Sequence, residues 1–425
     1  MRKFLFLSLA AAATLSSCNS GDSVAPDFDA ELQPIQLGIS NATLETETRG
    51  TGTVGDTSAT ANEWKGQSFN VYMLCKDAAG KDSMAIAKFS GAEIYNNAPF
   101  VAPNGSAMNI ATPVDAQTKY YPSTRNFNFY AYRLDDAGTA APSFDANNDS
   151  LSVPFSIDGS QDIMVAKAYL TTDANGAKQS DLLKIGSNTA QKKANGARYY
   201  SAFSARHGVQ PIFTFRHLLT RLNFMILPCN ATATDPTNGL VIDQIKVVST
   251  KKSGVLTIAG KDDNTTGTLR QKITWGAAGI FDYFLQQRQA ADADKNMNLE
   301  TLASLDLQGD PYYSTTAASD GRQTEDKAAA AQNIGEALLL APEASYELHV
   351  IGHVNLKDKG VQNFDFKDVI KLSKGSFAAG SSYTVVVSVY GYEKMEVTAK
   401  LTAWKKGGTI NLQPQETYVD GFATE

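Results

Sequence analysis

Three cysteines in 425 residues, Cys18, Cys75 and Cys229, are too few for a disulfide scaffold. Cys75 and Cys229 could form one disulfide, but they lie far apart in apolar, strand-like surroundings and read rather as free buried thiols, packing as small hydrophobes. Basic charge is short as well. The 38 Lys and Arg against 44 Asp and Glu leave a net charge of -6, which offers no basic field for nucleic acid. Beyond the N-terminus no apolar run is long enough to cross a bilayer as a helix. There is no heptad pattern and no short-period repeat. What is present is a chain 43% hydrophobic and 19% charged, enough apolar material for a buried core and no signature of disorder. Length alone allows about two to three domains.

The N-terminus reads as an export signal. Arg2 and Lys3 precede an apolar run over residues 4–15, too short to span a membrane. The run closes on Leu15-Ser16-Ser17-Cys18, which resembles the bacterial lipobox, where the Cys thiol carries diacylglycerol and becomes the new N-terminus. Several acyl chains such as palmitate on one residue anchor a protein stably, whereas one chain does so only marginally. Residues 1–18 are therefore expected to be a lipoprotein signal ending at Cys18, and the chain to be tethered to a membrane surface outside the cytoplasm.

Residues 19–48 contain no Lys or Arg but six acidic side chains, and Arg49 is the first basic residue of the exported chain. Within this acidic stretch Ile35, Leu37 and Ile39 alternate with Gln36 and Gly38, the pattern of one short strand with an apolar face. Gly50-Thr51-Gly52-Thr53-Val54-Gly55 and a small, polar run to residue 62 follow, the kind of exposed segment that proteases cut.

Period-two alternation dominates the rest. Phe69, Val71, Met73 and Cys75 share one strand face, and residues 84–89, 127–132 and 162–166 give further strands. Residues 171–198 are polar and irregular, with a short helix expected near 181–185. A second set opens at Phe213-Thr214-Phe215 and continues through 221–227, 240–248, 254–258, 337–340, 346–354, 366–372, 383–390 and 395–404. In the last of these Met395, Val397, Ala399, Leu401 and Ala403 face one way, so only one face is buried. Residues 281–291 are expected to be helical and 306–333 to form a long loop. Gly, Asn, Asp and Pro punctuate the strands as in β-sandwiches. The architecture is mostly β with few short helices, in two sandwich domains spanning residues 50–210 and 211–425.

Motifs for catalysis or cofactors do not hold together. The G-x-G-x-x-G match at residues 50–55 lacks the preceding strand and following helix that dinucleotide binding needs. Asp292, Asp294, Asn296 and Asn298 suggest a calcium loop, but Met297 and Ala303 stand where an EF-hand needs Gly and Glu. His349 and His353 are four apart on a strand, too distant to share a metal, with no completing carboxylate nearby in sequence. His217 beside Leu218 and Leu219 reads as a hydrogen-bonded core histidine. No arrangement points to an enzyme, a metal or a cofactor.

Taken in order, several places resemble the fimbrillin family of Bacteroidota, lipidated subunits of cell-surface fimbriae. They are Cys18, the Arg49 junction, Trp64, Tyr121-Pro122 before residues 127–132, residues 162–166, and Phe215 to His217 with Leu218 and Leu219. Leu340-Ala341-Pro342, Phe377-Ala378-Ala379-Gly380 before Tyr383, and Trp404 complete the set. The resemblance implies two transthyretin-like β-sandwich domains, lipidation in the outer membrane, cleavage between Arg49 and Gly50 by an Arg-specific protease, and polymerisation with other fimbrial subunits to form a fimbrium, or pilus, that supports cell adhesion. Residues 19–49 would then be a propeptide. Asp82-Ser83-Met84 and Asp149-Ser150-Leu151 look like O-glycosylation sites of Bacteroidota.

Such a scheme suits the residues. A departing strand bared by cleavage would expose unpaired backbone groups above an apolar groove, which invites strand addition from another chain. A donor strand must alternate, and in the tail, residues 405–425, Ile410, Leu412, Pro414, Tyr418 and Phe422 share one parity. Val419 breaks the pattern, and Pro414 gives up one ladder bond. Cleavage also removes three basic and six acidic residues, taking the net charge from -6 to -3 and easing repulsion between subunits. Two other readings stand beside this one. One is a tip adhesin or surface lipoprotein that binds glycan or host protein as a monomer. The other is a surface hydrolase with Trp275 and Tyr283 along a sugar groove.

Overall fold

The computed structural model describes residues 32–40, 67–76, 82–83, 94–102, 112–115, 117–122, 127–145, 150–168, 200–202, 205, 210–260, 271–288, 299–316 and 321–401. These are almost entirely strands. The principal ones are β1 (Gly38–Ser40), β2 (Ser68–Lys76), β3 (Ala98–Val101), β4 (Phe127–Arg133), β5 (Ser150–Ser156), β6 (Met164–Ala168), β7 (Ile212–Thr214) and β8 (Arg216–His217). Then follow β9 (Thr220–Pro228), β10 (Leu240–Ser249), β11 (Ser253–Gly260), β12 (Phe281–Phe284), β13 (Gln332–Leu340), β14 (Ser345–Leu356), β15 (Gly360–Lys371), β16 (Ser382–Gly391) and β17 (Lys394–Leu401). A one-turn helix, Lys327–Ala330, is capped by the Asp326 carboxylate accepting from the Ala328 N–H.

One sheet runs β8-β6-β4-β2-β3. Its central strands β4 and β6 are buried at every residue, so both sheet faces are covered. Tyr72, Leu74, Tyr130, Tyr132 and Val165 point into a large apolar core shared with Val153 and Phe155 of β5 and Leu256 and Ile258 of β11. Phe69, Val71, Met73, Phe127, Phe129, Ala131 and Met164 point into a second, separate core. Alternation on β2 therefore separates two apolar faces, and the aromatic and β-branched residues that favour strands fill both.

Toward the C-terminus two further sheets face each other across the large core. One runs β13-β9-β16-β17 with β9 and β16 parallel, and the other runs β12-β10-β14-β15. Phe224 and Ile226 of β9 and Val385, Val387 and Val389 of β16 meet Ile242, Ile245 and Val247 of β10 and Leu348 and Val350 of β14. Strands from the two sides of residue 210 pair directly: β5 with β11, β6 with β8, and β1 with β7. The architecture is mostly β, with sheets stacked as sandwiches.

Two local expectations change. Residues 281–291 are not helical where described: β12 pairs with β10, and Gln286–Arg288 pairs with Leu299–Thr301. The reason is that Tyr283 and Leu285 are both fully buried two apart, the period of a strand. Residues 306–333 are not a bare loop. Tyr312–Tyr313 pairs with Gln323–Thr324, the short helix follows, and β13 starts at Gln332. The strand expected at 84–89 and the helix at 181–185 lie outside the described residues.

Candidate functional site

The second core is closed by a piece of chain from far upstream. Pro34 sits opposite Tyr120 in an antiparallel bridge. The Ile35 N–H donates to the Lys119 carbonyl at 2.9 Å, and the Tyr121 N–H donates to the Gln33 carbonyl at 2.9 Å. On its other side the segment meets β7: the Gly38 N–H donates to the Pro211 carbonyl at 2.8 Å, and Gly38, Ile39 and Ser40 run parallel to Ile212, Phe213 and Thr214. Pro34 costs nothing here, because a residue between two flanking ladder bonds needs no N–H of its own.

Gln210 completes the grip. Its Nε2 donates to the Pro34 carbonyl at 3.1 Å, and its Oε1 accepts from the Gln36 N–H at 3.2 Å. One side-chain amide thus pairs with the main chain as a neighbouring strand does, and reads backbone only.

The alternation of Ile35, Leu37 and Ile39 sends three side chains inward, 6%, 1% and 2% exposed, while Gln36 stays in solvent. They enter an aromatic nest. Phe69 lies edge-on to Phe215 at 5.3 Å and stacked on Phe100 at 5.8 Å. Phe129 packs edge-on to Tyr200 at 5.5 Å and to Tyr121 at 6.2 Å. Burial holds the Tyr121 and Tyr200 hydroxyls well above the usual phenol range. Burying three such aliphatic side chains stabilises the closed groove by about 1.5–3 kcal/mol each.

Other expected site residues, Cys18, Arg49, Gly50, Ile410, Leu412, Pro414, Tyr418 and Phe422, lie outside the described residues. So do the residues of the calcium-like loop. Sequence reasoning missed Gln210 as a contact. A lone glutamine before Pro211 carries no pattern, whereas the alternating Phe213 and Phe215 did mark a buried face.

The histidines are placed by carboxylates. The buried His217 Nδ1 lies 2.9 Å from Asp162 Oδ1. The Asp162 N–H donates to Asp135 Oδ2 at 3.2 Å, and Arg133 pairs with Asp135. Burial pushes the Asp135 carboxyl up, and the Arg133 charge opposes that rise. His349 and His353 do have carboxylate neighbours, contrary to the sequence expectation. Glu347 Oε1 is 2.7 Å from His349 Nε2, Asp365 Oδ1 is 2.9 Å from Nδ1, and Asp243 Oδ2 is 2.7 Å from His353 Nδ1. Asp243 and Asp365 come from adjacent strands, which sequence spacing does not show. Even so, no group of three or more His, Cys, Asp or Glu side chains among the described residues is arranged to hold a metal ion. Tyr283 is buried with its hydroxyl donating to the Lys251 carbonyl, so it lines no sugar groove, and the partly buried Trp275 packs edge-on to Phe155. Cys229 is a free, half-buried thiol whose proton burial holds more tightly. No helix among the described residues is long and apolar enough to cross a membrane, which leaves strands out of account.

Comparison with known proteins adds a family. A profile described as fimbrillin-like matches residues 57–404. No curated protein sequence matches the chain. Among solved structures, a fimbrial protein from Bacteroides vulgatus is similar at 13% identity and a TM-score of 0.40, over 88% of this chain and 99% of that one. The fimbrial anchor protein Mfa2 from Porphyromonas gingivalis is similar at 10% identity and a TM-score of 0.31, over 87% of this chain and 97% of that one.

Proposed function

Because the chain belongs to the fimbrillin-like family, we propose that it is a fimbrial subunit made as a lipidated precursor and assembled by strand exchange. Family membership carries the coarser part, a structural, non-enzymatic role in a cell-surface fimbrium alongside other fimbrial subunits. The finer part is our reading. Lipid on Cys18 tethers the precursor to the outer membrane, an Arg-specific protease cuts between Arg49 and Gly50, and residues 33–40 leave their groove. A tail strand within residues 405–425 of another subunit then takes the vacant place.

One observation supports this above the rest. Ile35, Leu37 and Ile39 fill an apolar core built by residues 69–215, yet their main chain is held by few bonds and by the side chain of Gln210. A core plug that enters from the N-terminal side of Arg49 is joined to the rest of the protein covalently only through that junction. Once cut, it is held by contacts alone, and its departure leaves donors, acceptors and an apolar floor open to a strand of matching alternation.

The test uses the chain from residue 19, treated with an Arg-specific protease and run unboiled on a denaturing gel. The expected result is one cut after Arg49 followed by a ladder of multimers, erased by deleting residues 405–425. A clean cut with monomer only would replace strand exchange by a tip, an anchor or a monomeric adhesin. No cut at Arg49 would end the maturation scheme.

A further inference from the structure

Alternation gives the entry of the inserted segment a second face. Ile35 and Tyr121 turn into the core, so Pro34 and Tyr120, which bridge each other, turn outward. Leu32 and Pro122 share their parity. The four outward residues make an apolar strip: Leu32 is 71% exposed, Tyr120 is 42% exposed, and both prolines are half-buried. Val114, 58% exposed, begins the loop that leads to Tyr120, and a Lys119–Asp115 pair at 3.4 Å ties that loop together. We propose that in the precursor this strip lies against a lipid surface, the membrane that holds the acyl chains of Cys18. This depends on the lipidated-precursor reading above and adds to it which end of the protein faces the membrane.

The place of the strip selects its partner. Only the 13 residues 19–31 separate Leu32 from the lipid-bearing Cys18. At about 3.6 Å for each step they span at most about 50 Å, whatever path they take. The strip is therefore confined near the bilayer, which raises its effective concentration there and lets a weak contact persist. A second copy of the chain is under no such constraint. Single exposed apolar side chains are ordinary on a protein surface, but here they are contiguous and stand at the foot of a membrane tether. Tyr120 suits that boundary, since its ring is apolar and its hydroxyl can stay wet. Charge then selects the headgroup. Residues 19–31 carry Asp22, Asp27, Asp29 and Glu31 and no Lys or Arg, and Asp115 takes up the charge of Lys119. Anionic headgroups are repelled by such a tether, and zwitterionic ones are not.

The strip is divided between the two products of a cut after Arg49. Leu32 and Pro34 go with the lipid-bearing segment, and Tyr120 and Pro122 go with the body. While the segment is in place, the bonds from the Ile35 N–H to the Lys119 carbonyl and from the Tyr121 N–H to the Gln33 carbonyl hold the two halves together at the membrane. When the segment withdraws, the body loses its tether and half of its lipid contact in one step.

Fluorescence quenching tests this without using Cys18. The chain from residue 19, with a polyhistidine ahead of it, is held on phosphatidylcholine vesicles by a nickel-chelating lipid, and the acyl chains are either plain or brominated. Tyr120→Trp adds one tryptophan to the native three, and Thr398→Trp, at an exposed place on β17, is the comparison. The expected result is that bromine removes most of the emission added by Tyr120→Trp and leaves that added by Thr398→Trp. Combining Leu32→Glu with Tyr120→Trp should restore the emission while the protein stays on the vesicle. No quenching at position 120, or equal quenching at 120 and 398, would overturn the proposal. A blue shift of the emission added by Tyr120→Trp on concentrating the protein without vesicles would make a second copy the occupant and overturn it as well. Mass spectrometry of the protein taken from membranes separates the two readings: an unacylated Cys18 would remove the tether, and with it the precursor scheme on which this depends.

Discussion

Replacing Leu37 by alanine separates a groove-filling strand from a passive linker. Leu37 is 1% exposed and sits centrally between Ile35 and Ile39 in the second core. Truncating a buried leucine removes its transfer free energy and leaves a cavity, about 2–5 kcal/mol in all. The uncleaved Leu37→Ala chain should therefore unfold at a clearly lower urea concentration than the parent. If the segment detaches before the rest unfolds, the loss appears first as faster hydrogen exchange at the Gly38 N–H, which is bonded to the Pro211 carbonyl. Gln36→Ala is the control. Its side chain is exposed and its bond to Gln210 is made by the main chain, so the change should stay within about 0.5 kcal/mol. After cleavage at Arg49 and removal of residues 19–49 the two proteins are chemically identical, and their unfolding curves should superimpose. An unchanged midpoint in the uncleaved variant would refute the packing argument. A difference that persists after removal would show that the segment had not left.

Gln210→Ala removes both bonds to the inserted main chain and should lower the uncleaved chain's stability by about 1–3 kcal/mol, read by the same urea curves. Gly352→Ala should prevent folding or destabilise by more than about 4 kcal/mol, measured as soluble yield and thermal midpoint, because a Cβ there collides with the Val241 carbonyl oxygen. The Asp158 carboxyl is pushed up by burial, but bonds from the Ser160 hydroxyl and N–H and from Gln161, with the Lys252 charge, bring it below its ordinary value. A lowered folded value adds stability above the unfolded value that is lost as pH falls, so Asp158→Asn should flatten the loss of stability below about pH 4 in an acid titration of unfolding.

How much of this was legible in the sequence depends on distance along the chain. Alternation in Ile35, Leu37 and Ile39 is local, and it marked an apolar strand face before any partner was known. The fimbrillin resemblance, read from scattered motifs, agrees with the family match over residues 57–404. One of those motifs has a visible physical basis. Phe377 packs on Tyr346 and Tyr383, and Gly380, at a φ of 67°, turns the chain so that its N–H reaches the Leu219 carbonyl. What local pattern cannot carry is the extent of the opposing layer. Met395, Val397, Ala399 and Leu401 do share a face, yet burial runs out along it: Met395 is buried and Leu401 is 67% exposed, because β17 is an edge strand that outruns its core. Asp365 beside His349 and Asp243 beside His353 escaped for the same reason, since they arrive from neighbouring strands, whereas Glu347 lies two residues from His349 on its own strand.

Gln210 is the sharper case. It lies 174 residues from Gln36, belongs to no periodic run, and its role depends on a main chain that comes within reach only in the folded chain. A contact to backbone leaves no complementary side chain to find, so no pairing of residue types could have announced it. Under the proposed strand exchange, that same indifference to side chains would let one glutamine hold two different strands in turn. Selectivity must then come from the aromatic nest, which accepts apolar groups only at alternate positions. The division of labour is physical: the amide fixes where a strand lies, and the rings decide which strand fits.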